Sequence, residues 1–255
     1  SLDRRQRQMC IRDRVWTYLE KNHNHESYYF SEKYIPHKEK KGFFGFLYSF
    51  VQKIMFRYKL QNLKNHINKD KIVLDYGSGD GRFAEYLNQL QIKTITYDPL
   101  VNKLDKSEPF GYQITENQVD TLMMWHVLEH IPDLESSIKV ICNSVKNKGS
   151  LIIAVPNIDS FDSKLYKECW AGLDVPRHLY HFNHESLIKF IEKHGFIYNY
   201  KKPLIFDSFY VSILSEKNRS NPFGILIGLT MGLISNFFAL FSSNYSSSFY
   251  VFTKD

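Results

Sequence analysis

An acid and three alternate glycines in the first half of the chain have the spacing of a ligand-binding turn. An apolar run ends in Asp75, and glycines follow at positions 77, 79 and 81 before a helix-like stretch. Glycines in a strand-to-helix turn let the backbone bend sharply and approach a ligand without a Cβ in the way. The ligand then lies over a helix N-terminus. Asp98 ends the next predicted strand, where an acid accepts hydrogen bonds from ribose hydroxyls in nucleotide-binding sheets.

The glycine spacing separates two ligand classes. Dinucleotides are bound by G-x-G-x-x-G, whereas the chain has glycine at every second position after Asp75. This pattern resembles the first motif of class I S-adenosylmethionine-dependent methyltransferases, acid-x-Gly-x-Gly-x-Gly. The α-amino group of that cofactor is one that a nearby acid can help to hold. A glycine-rich turn without a ligand is the alternative. The resemblance implies that the cofactor is bound by Asp75, Gly77, Ser78, Gly79, Gly81, Asp98 and Pro99.

Residues 126–130, His-Val-Leu-Glu-His, match the H-x-x-E-H signature of one class of zinc peptidases. That signature needs one helix that presents both histidines to the metal, but here it follows an apolar strand and a proline comes two residues later. In many methyltransferases a strand that begins with an Asp, here Asp120, leads to a Leu-Glu-His triplet. Trp125 and His126 then lie at the carboxyl end of that strand, where ligands bind in open α/β sheets. We expect both at the cofactor site, and His130 as a general base or as a residue that orients a loop.

A later stretch, residues 170–182, narrows the resemblance. Its Trp, Asp, Pro-Arg-His and aromatic residues resemble the subgroup related to ubiquinone-biosynthesis methyltransferases, of the methyltransferase domain 23 type. The tyrosines and histidine of residues 28–37 look like the N-terminal cap of this subgroup. The resemblance covers about residue 28 to the C-terminus and makes His178 a second candidate base. An ion pair with Asp174 is the structural alternative for Arg177.

Three histidines at three-residue spacing, His178, His181 and His184, could suggest a metal. No helix is predicted to fix them before the helix N-cap at Asn183, so no metal is expected.

The elements that position these residues alternate between strand and helix. This order predicts a parallel sheet with helices on both faces, and the resemblance implies a Rossmann-like, seven-stranded, mostly parallel sheet of the α/β class. Residues 103–118 are irregular, with room for one of the strands. The other predicted strands are 72–76, 92–97, 119–125, 151–155, 196–200 and 248–253, and the predicted helices include 82–90, 134–145, 183–195 and 207–217.

The predicted organisation has three parts. Residues 1–14 form a disordered arm or a non-native translated stretch, and they hold half of the net charge of +6. Residues 15–70 form an N-terminal helical and aromatic cap, in which 42–67 has the spacing of a basic amphipathic helix. That helix is expected to pack on its own domain, with membrane-surface binding as the alternative. Residues 71–255 form the methyltransferase domain.

An apolar insertion at about 220–242 precedes the last strand. Arg219 and Lys254 enclose a stretch with no charged residue, and Gly224, Gly228 and Gly232 recur at four-residue spacing. Small residues at this spacing let helices approach closely. The segment predicts a helix buried or docked on the domain, an interfacial membrane contact, or a membrane span.

Composition bounds the protein's environment and partners. Hydrophobic residues make up 43% and charged residues 24% of the 255, as in ordinary globular proteins. The three widely spaced cysteines form no disulfide or zinc pattern, which favours a reducing compartment. No secretory signal is visible, so we expect a cytoplasmic protein, with membrane association as an addition. Because half of the excess charge lies in the N-terminal arm, no nucleic-acid partner is expected.

These observations predict an S-adenosylmethionine-dependent methyltransferase that acts on a small-molecule acceptor. The apolar insertion and the aromatic cap favour a hydrophobic or lipid-linked acceptor. Two alternatives stay open: a nicotinamide-dependent Rossmann oxidoreductase, which needs the same sheet, and a non-catalytic, membrane-associated cofactor-binding protein.

Overall fold

The computed structural model of the chain describes residues 8–11, 14–17, 43–98 and 115–255, with side chains from position 49 onward. The strands in chain order are β1 (Gln8–Ile11), β2 (Arg14–Thr17), β3 (Val73–Tyr76), β4 (Thr94–Tyr97), β5 (Val119–Trp125), β6 (Val145–Pro156), β7 (Tyr180–His181), β8 (Phe196–Pro203) and β9 (Ser247–Lys254). The helices are α1 (Phe43–Leu63), α2 (Arg82–Gln89), α3 (Leu134–Ser144), α4 (Phe161–Tyr166), α5 (His184–Glu192), α6 (Ile205–Asn218) and α7 (Gly224–Ser242).

Six of the described strands form the main sheet, in the order β4-β3-β5-β6-β9-β8. Strands β4, β3, β5 and β6 run parallel, and β9 is antiparallel to both β6 and β8. This arrangement confirms the Rossmann-like, mostly parallel sheet with helices. The predicted seventh strand belongs to a segment of which residues 99–114 lie outside the described residues.

The sheet is buried on both faces, which explains why its strands read as continuous apolar runs. Leu74, Leu122 and Ile153 belong to the core on one face. Their chain neighbours Val73 and Ile152 belong to the core on the other face, because successive side chains of a strand point to opposite sides. All five side chains are fully buried.

Strand β6 is longer than expected. It begins at Val145, directly after α3, although the polar residues 146–149 read as a turn in the sequence. Lys148 has a φ of 63°, and the pairing with β5 shifts register between Val119 and Thr121. The strand therefore passes through an irregularity of the bulge type, which sequence periodicity does not reveal.

Helix α1 packs against its own domain in its described part. Leu63 is fully buried, and the ring of Tyr58 lies edge-on to that of Phe249 on β9, with 6.4 Å between centroids. The described part of this helix thus packs on its own domain, and membrane-surface binding by it stays a prediction.

A second, small sheet involves the N-terminal arm. The backbones of β1 and β2 pair antiparallel, and β2 pairs with β7. Whether residues 1–14 belong to the native protein stays a prediction, because backbone pairing does not report on their origin.

Helix α7 lies where the apolar insertion is predicted, at about 220–242, and it packs on α6. A Cβ on Gly228 would lie 2.5 Å from Ile213 Cα, and one on Gly232 would lie 2.7 Å from Phe209 Cα. The glycine spacing therefore serves close packing of α7 on α6. Among the described helices, α7 alone is long and apolar enough to cross a membrane. An 18-residue stretch of it has a mean hydropathy of 1.9, and 28% of that stretch is buried.

Candidate functional site

The glycine turn connects β3 to α2 at the carboxyl edge of the sheet. Gly77, Gly79 and Gly81 all have left-handed φ values, of 75°, 56° and 70°. A Cβ on Gly77 would collide with the side chain of Val127, which enters the turn from the loop after β5. The turn thus needs glycine for its backbone conformation and, at position 77, also for space.

The turn is fastened to the end of β4. The Gly79 amide donates a hydrogen bond to Asp98 Oδ2 at 2.9 Å. The amides of Gly77 and Ser78 both point at the carbonyl oxygen of Tyr97, at 2.6 and 3.4 Å. Asp98 therefore lies beside the glycine turn, where the sequence predicts a ribose-binding acid. Pro99, predicted to bind the cofactor, lies outside the described residues.

Asp75 is buried on β3 below the turn, with 3% of its surface exposed. Burial raises the pKa of Asp75 to about 7, against the opposing effect of the Lys59 charge. Burial also lowers the pKa of Lys59 to about 8, against the charges of Asp75 and Asp207. The charge of Lys59 thus already acts on the carboxyl group that is predicted to hold the amino group of the cofactor.

Trp125 is the last residue of β5, and its ring lies beside Lys59. The Lys59 Nζ lies 3.6 Å from the centroid of the Trp125 ring, a distance typical of a cation–π contact. The rings of Phe83 and Phe249 stand edge-on to Trp125, each with 5.7 Å between centroids. The indole Nε1 is buried and has no hydrogen-bond partner among the described residues.

His126 follows Trp125 with a left-handed φ of 56°. Its Nε2 donates to Asp207 Oδ2 at 3.0 Å, and its Nδ1 lies 3.4 Å from Glu129 Oε1. Burial disfavours the charged imidazole, but the hydrogen bonds to Asp207 and Glu129 outweigh burial and raise the pKa of His126 to about 10. His126 is therefore a cation that joins the β5 loop to α6.

Glu129 lies at the centre of a histidine cluster. Residues 128–130 form a 3₁₀ turn, so the H-x-x-E-H residues do not share one helix. Burial would raise the pKa of Glu129, but the His126 hydrogen bond and the nearby imidazoles lower it to about 2. Its carboxylate is 1% exposed, with Oε1 lying 3.4 Å from His126 Nδ1 and 4.0 Å from His178 Nε2.

The two candidate bases lie together beside this carboxylate. The rings of His130 and His178 meet edge-on, with 4.6 Å between centroids. His130 Nδ1 donates to the Arg177 carbonyl at 3.0 Å, and His178 Nδ1 donates to the Gly172 carbonyl at 2.9 Å. Burial and the neighbouring His130 lower the pKa of His178 to about 4. His178 is therefore neutral at pH 7.

Glu129, His130 and His178 each offer one potential metal-ligand atom, and these atoms lie within 4.8 Å of one another. The structure thus groups two loop histidines with an acid, whereas His184 packs 5.7 Å from the Tyr250 ring. These three residues could hold a metal ion; the expectation of no metal stays a prediction.

Residues 170–182 hold the cluster of Glu129, His130 and His178 in place. Arg177 Nη2 lies 2.6 Å from the Asp174 carboxylate, the ion pair that the sequence offered as the structural role. The indole of Trp170 donates to Asp162 Oδ2 at 2.8 Å, and both residues are buried. The stretch therefore places His178 through a folded loop and not through a regular helix.

Sequence reasoning missed two charged residues of the site, Lys59 and Asp207. Lys59 lies on α1 next to Leu60 and four residues before the buried Leu63. A lysine beside the apolar stripe of an amphipathic helix is a weak signal for a charge turned toward the domain. Asp207 lies in the first turn of α6. An acid is ordinary at the start of a helix, so the position of Asp207 in the sequence does not indicate a role in the site.

Comparison with known proteins places this geometry in a family. Residues 48–198 match the family model described as "Methyltransferase domain". No curated protein matches the chain.

Two solved structures share the fold. A protein from Galdieria sulphuraria, provisionally assigned as a sarcosine dimethylglycine methyltransferase, has a TM-score of 0.51 and 14% identity; the match covers 81% of this chain and 86% of that one. An S-adenosylmethionine-dependent methyltransferase from Thermotoga maritima, described as a possible histamine N-methyltransferase, has a TM-score of 0.52 and 16% identity. That match covers 82% of this chain and 97% of the other.

Proposed function

The chain belongs to the methyltransferase-domain family and uses S-adenosylmethionine, and from that premise we propose that it methylates a hydrophobic, lipid-linked small molecule at the cytosolic face of a membrane. The observation that supports this acceptor class is the exposed apolar surface of α7 on the same domain. The aromatic side chains of Phe83 and Trp125 around Lys59 add apolar surface beside the cofactor turn.

The residues around the glycine turn fit the cofactor. The left-handed glycine turn and the Asp98 carboxylate beside Gly79 suit a nucleoside at the ends of β3 and β4. Asp75 supplies a buried carboxylate, and Trp125 supplies an aromatic ring that packs on Phe83 of α2. His126 would close the far side of the site through its bond to Asp207.

The cofactor, when bound, would supply a methyl group on its sulfonium sulfur; an acceptor atom would attack the methyl carbon in line while the carbon–sulfur bond breaks and the neutral thioether leaves. The protein's contribution is alignment and exclusion of water, and a base is needed only where the acceptor carries a proton. We propose that the pair formed by His130 and His178 accepts that proton. His178 is neutral because its pKa is low, so it can accept a hydrogen bond. His130, whose ring meets that of His178, takes the proton of the acceptor.

Two variants test the base assignment. His130→Ala and His178→Ala should each lower the turnover rate more than they weaken cofactor binding, since neither residue lies in the glycine turn. His181→Ala is the control within the same cluster. Unchanged turnover in both candidate variants would remove these histidines from the mechanism.

The acceptor is found by supplying cofactor labelled at the methyl group together with an extract of cells that make this protein. We expect label in the fraction that partitions into organic solvent, and at least about tenfold less label with the Asp98→Ala variant at a cofactor concentration below saturation. Label that appears only in water-soluble products would contradict the lipid-linked acceptor while leaving methyl transfer intact.

A further inference from the structure

The outer face of α7 is the largest exposed apolar surface among the described residues that the catalytic assignment leaves unexplained. Six large side chains on it are each between 45% and 78% exposed. At about 100° per residue they occupy one side of the helix. This apolar face consists of Leu226, Leu229, Leu233, Phe237, Leu240 and Phe241.

The opposite side of α7 is fixed to the domain along its length. Gly224, Gly228 and Gly232 pack on α6, and Ala239 is fully buried. Ser235 donates to the buried carboxylate of Asp162 at 2.8 Å. The helix then leads into β9, which is paired on both sides within the main sheet. A helix held this way can present its free side to a partner but cannot leave the domain to cross a bilayer.

The polar side chains of α7 donate hydrogen bonds to acceptors inside the protein. Thr230 and Ser242 donate to backbone carbonyls of α7 itself, at 3.0 and 3.1 Å. Asn236 donates from Nδ2 to the Ile205 carbonyl at 3.0 Å, and Ser235 donates to Asp162. All four polar side chains of the helix therefore donate to an acceptor inside the protein, whereas Asn236 Oδ1 accepts no hydrogen bond from a described residue.

Positive charge flanks the apolar face at both ends. Exposed Lys217 precedes α7, as does exposed Arg219, which also forms an ion pair with Glu216 at 3.8 Å. At its other end, Lys201 donates to the Ser243 carbonyl at 3.0 Å, next to the exposed Lys202. No acidic residue occurs between position 217 and position 254. This distribution complements the negative charge of anionic lipid headgroups.

We propose that α7 docks the protein on an anionic phospholipid bilayer, lying in the plane of the interface with its apolar face buried in the headgroup and acyl boundary. With 19 residues the helix is about 28 Å long. A groove of about 360 Å³ beside its C-terminal end is lined by Phe161, Phe238 and Phe241, with Lys164 and Asp159 also among its lining residues. The groove continues the apolar surface and offers space for part of an acyl chain.

Vesicle sedimentation of the full chain tests the docking without cofactor or acceptor, so its failure would leave the proposed methyl transfer untouched. We expect binding to vesicles of phosphatidylcholine mixed with phosphatidylglycerol, weaker binding to phosphatidylcholine alone, and weakening of the first by salt. The double variant Leu233→Glu/Phe237→Glu should lose at least about tenfold in vesicle affinity. The matched control Val140→Glu/Ile197→Glu changes side chains that are each 55% exposed elsewhere and should bind as the wild type does.

Folding and alternative occupants are checked on the same proteins. Urea midpoints and cofactor binding should be unchanged in both double variants, because the altered side chains point away from the core. Equal vesicle binding by wild type and the Leu233→Glu/Phe237→Glu variant would overturn the proposal. A wild-type dimer that this variant converts to a monomer, without vesicle binding by either, would also overturn it. Resistance to carbonate extraction from cell membranes would contradict the in-plane orientation.

Discussion

Replacing Gly77 by Ala tests whether the glycine turn is shaped by both conformation and space. The left-handed backbone, with a φ of 75°, costs an L-residue about 1–2 kcal/mol. The added Cβ would also overlap the Val127 side chain, and overpacking of this kind costs about 1–3 kcal/mol. Together these effects should lower the free energy of unfolding by about 2–5 kcal/mol, measured by urea denaturation.

Gly81→Ala is the matched control. Gly81 has a similar φ of 70°, but a Cβ there would meet nothing closer than 3.9 Å from Thr96. It should therefore lose only the conformational part, about 1–2 kcal/mol. Adding Val127→Ala to Gly77→Ala should recover about 1–3 kcal/mol relative to the sum of the single variants. Equal losses at both glycines, or no recovery in the double variant, would refute the steric explanation.

Three further predictions concern stability. Asp162→Ala leaves the buried donors of its three partners, the Trp170 indole and two serine hydroxyls, without an acceptor, so urea denaturation should show a loss of about 3–5 kcal/mol; a loss below about 1 kcal/mol would contradict the network. Asn183→Ala removes the capping box of α5 and should cost about 1 kcal/mol, whereas Asn183→Ser should retain most of it. Burial lowers the pKa values of His178 and His181 to about 4, below the unfolded value of about 6.5, so the unfolded state binds more protons between these limits. Stability should therefore fall as pH drops from about 6.5 to 4, by about 3 kcal/mol per histidine, and the double substitution His178→Gln/His181→Gln should flatten this fall; a stability that is constant over this range would contradict it.

Much of the sheet was predictable because its signals are local. The runs around Leu74, Leu122 and Ile152 are apolar on both faces, which marks central parallel strands. The N-cap at Asn183 and the acid at the end of β4 were also readable from residue type and position. Periodicity predicts the strands and helices, and the family resemblance predicts that they form a methyltransferase sheet.

The parts that escaped prediction depend on contacts between distant segments. Lys59 reaches the site from α1, and Asp207 reaches His126 from a helix 81 positions further along the chain. The irregular start of β6 follows from its pairing with β5 and not from its own sequence, which is polar there. The role of Asp162 likewise appears only when α4, α7 and the Trp170 loop are brought together.

Calorimetric titration of the full chain with S-adenosylmethionine tests the central claim most directly. The turn at Gly77–Gly81, fastened to Asp98, should bind one cofactor molecule per chain and should not bind NAD. Asp98→Ala should weaken the binding at least about tenfold, since the acid's charge-assisted hydrogen bonds are worth about 1.5–3 kcal/mol. Binding of NAD without binding of S-adenosylmethionine, or an Asp98→Ala affinity equal to that of the wild type, would contradict the account.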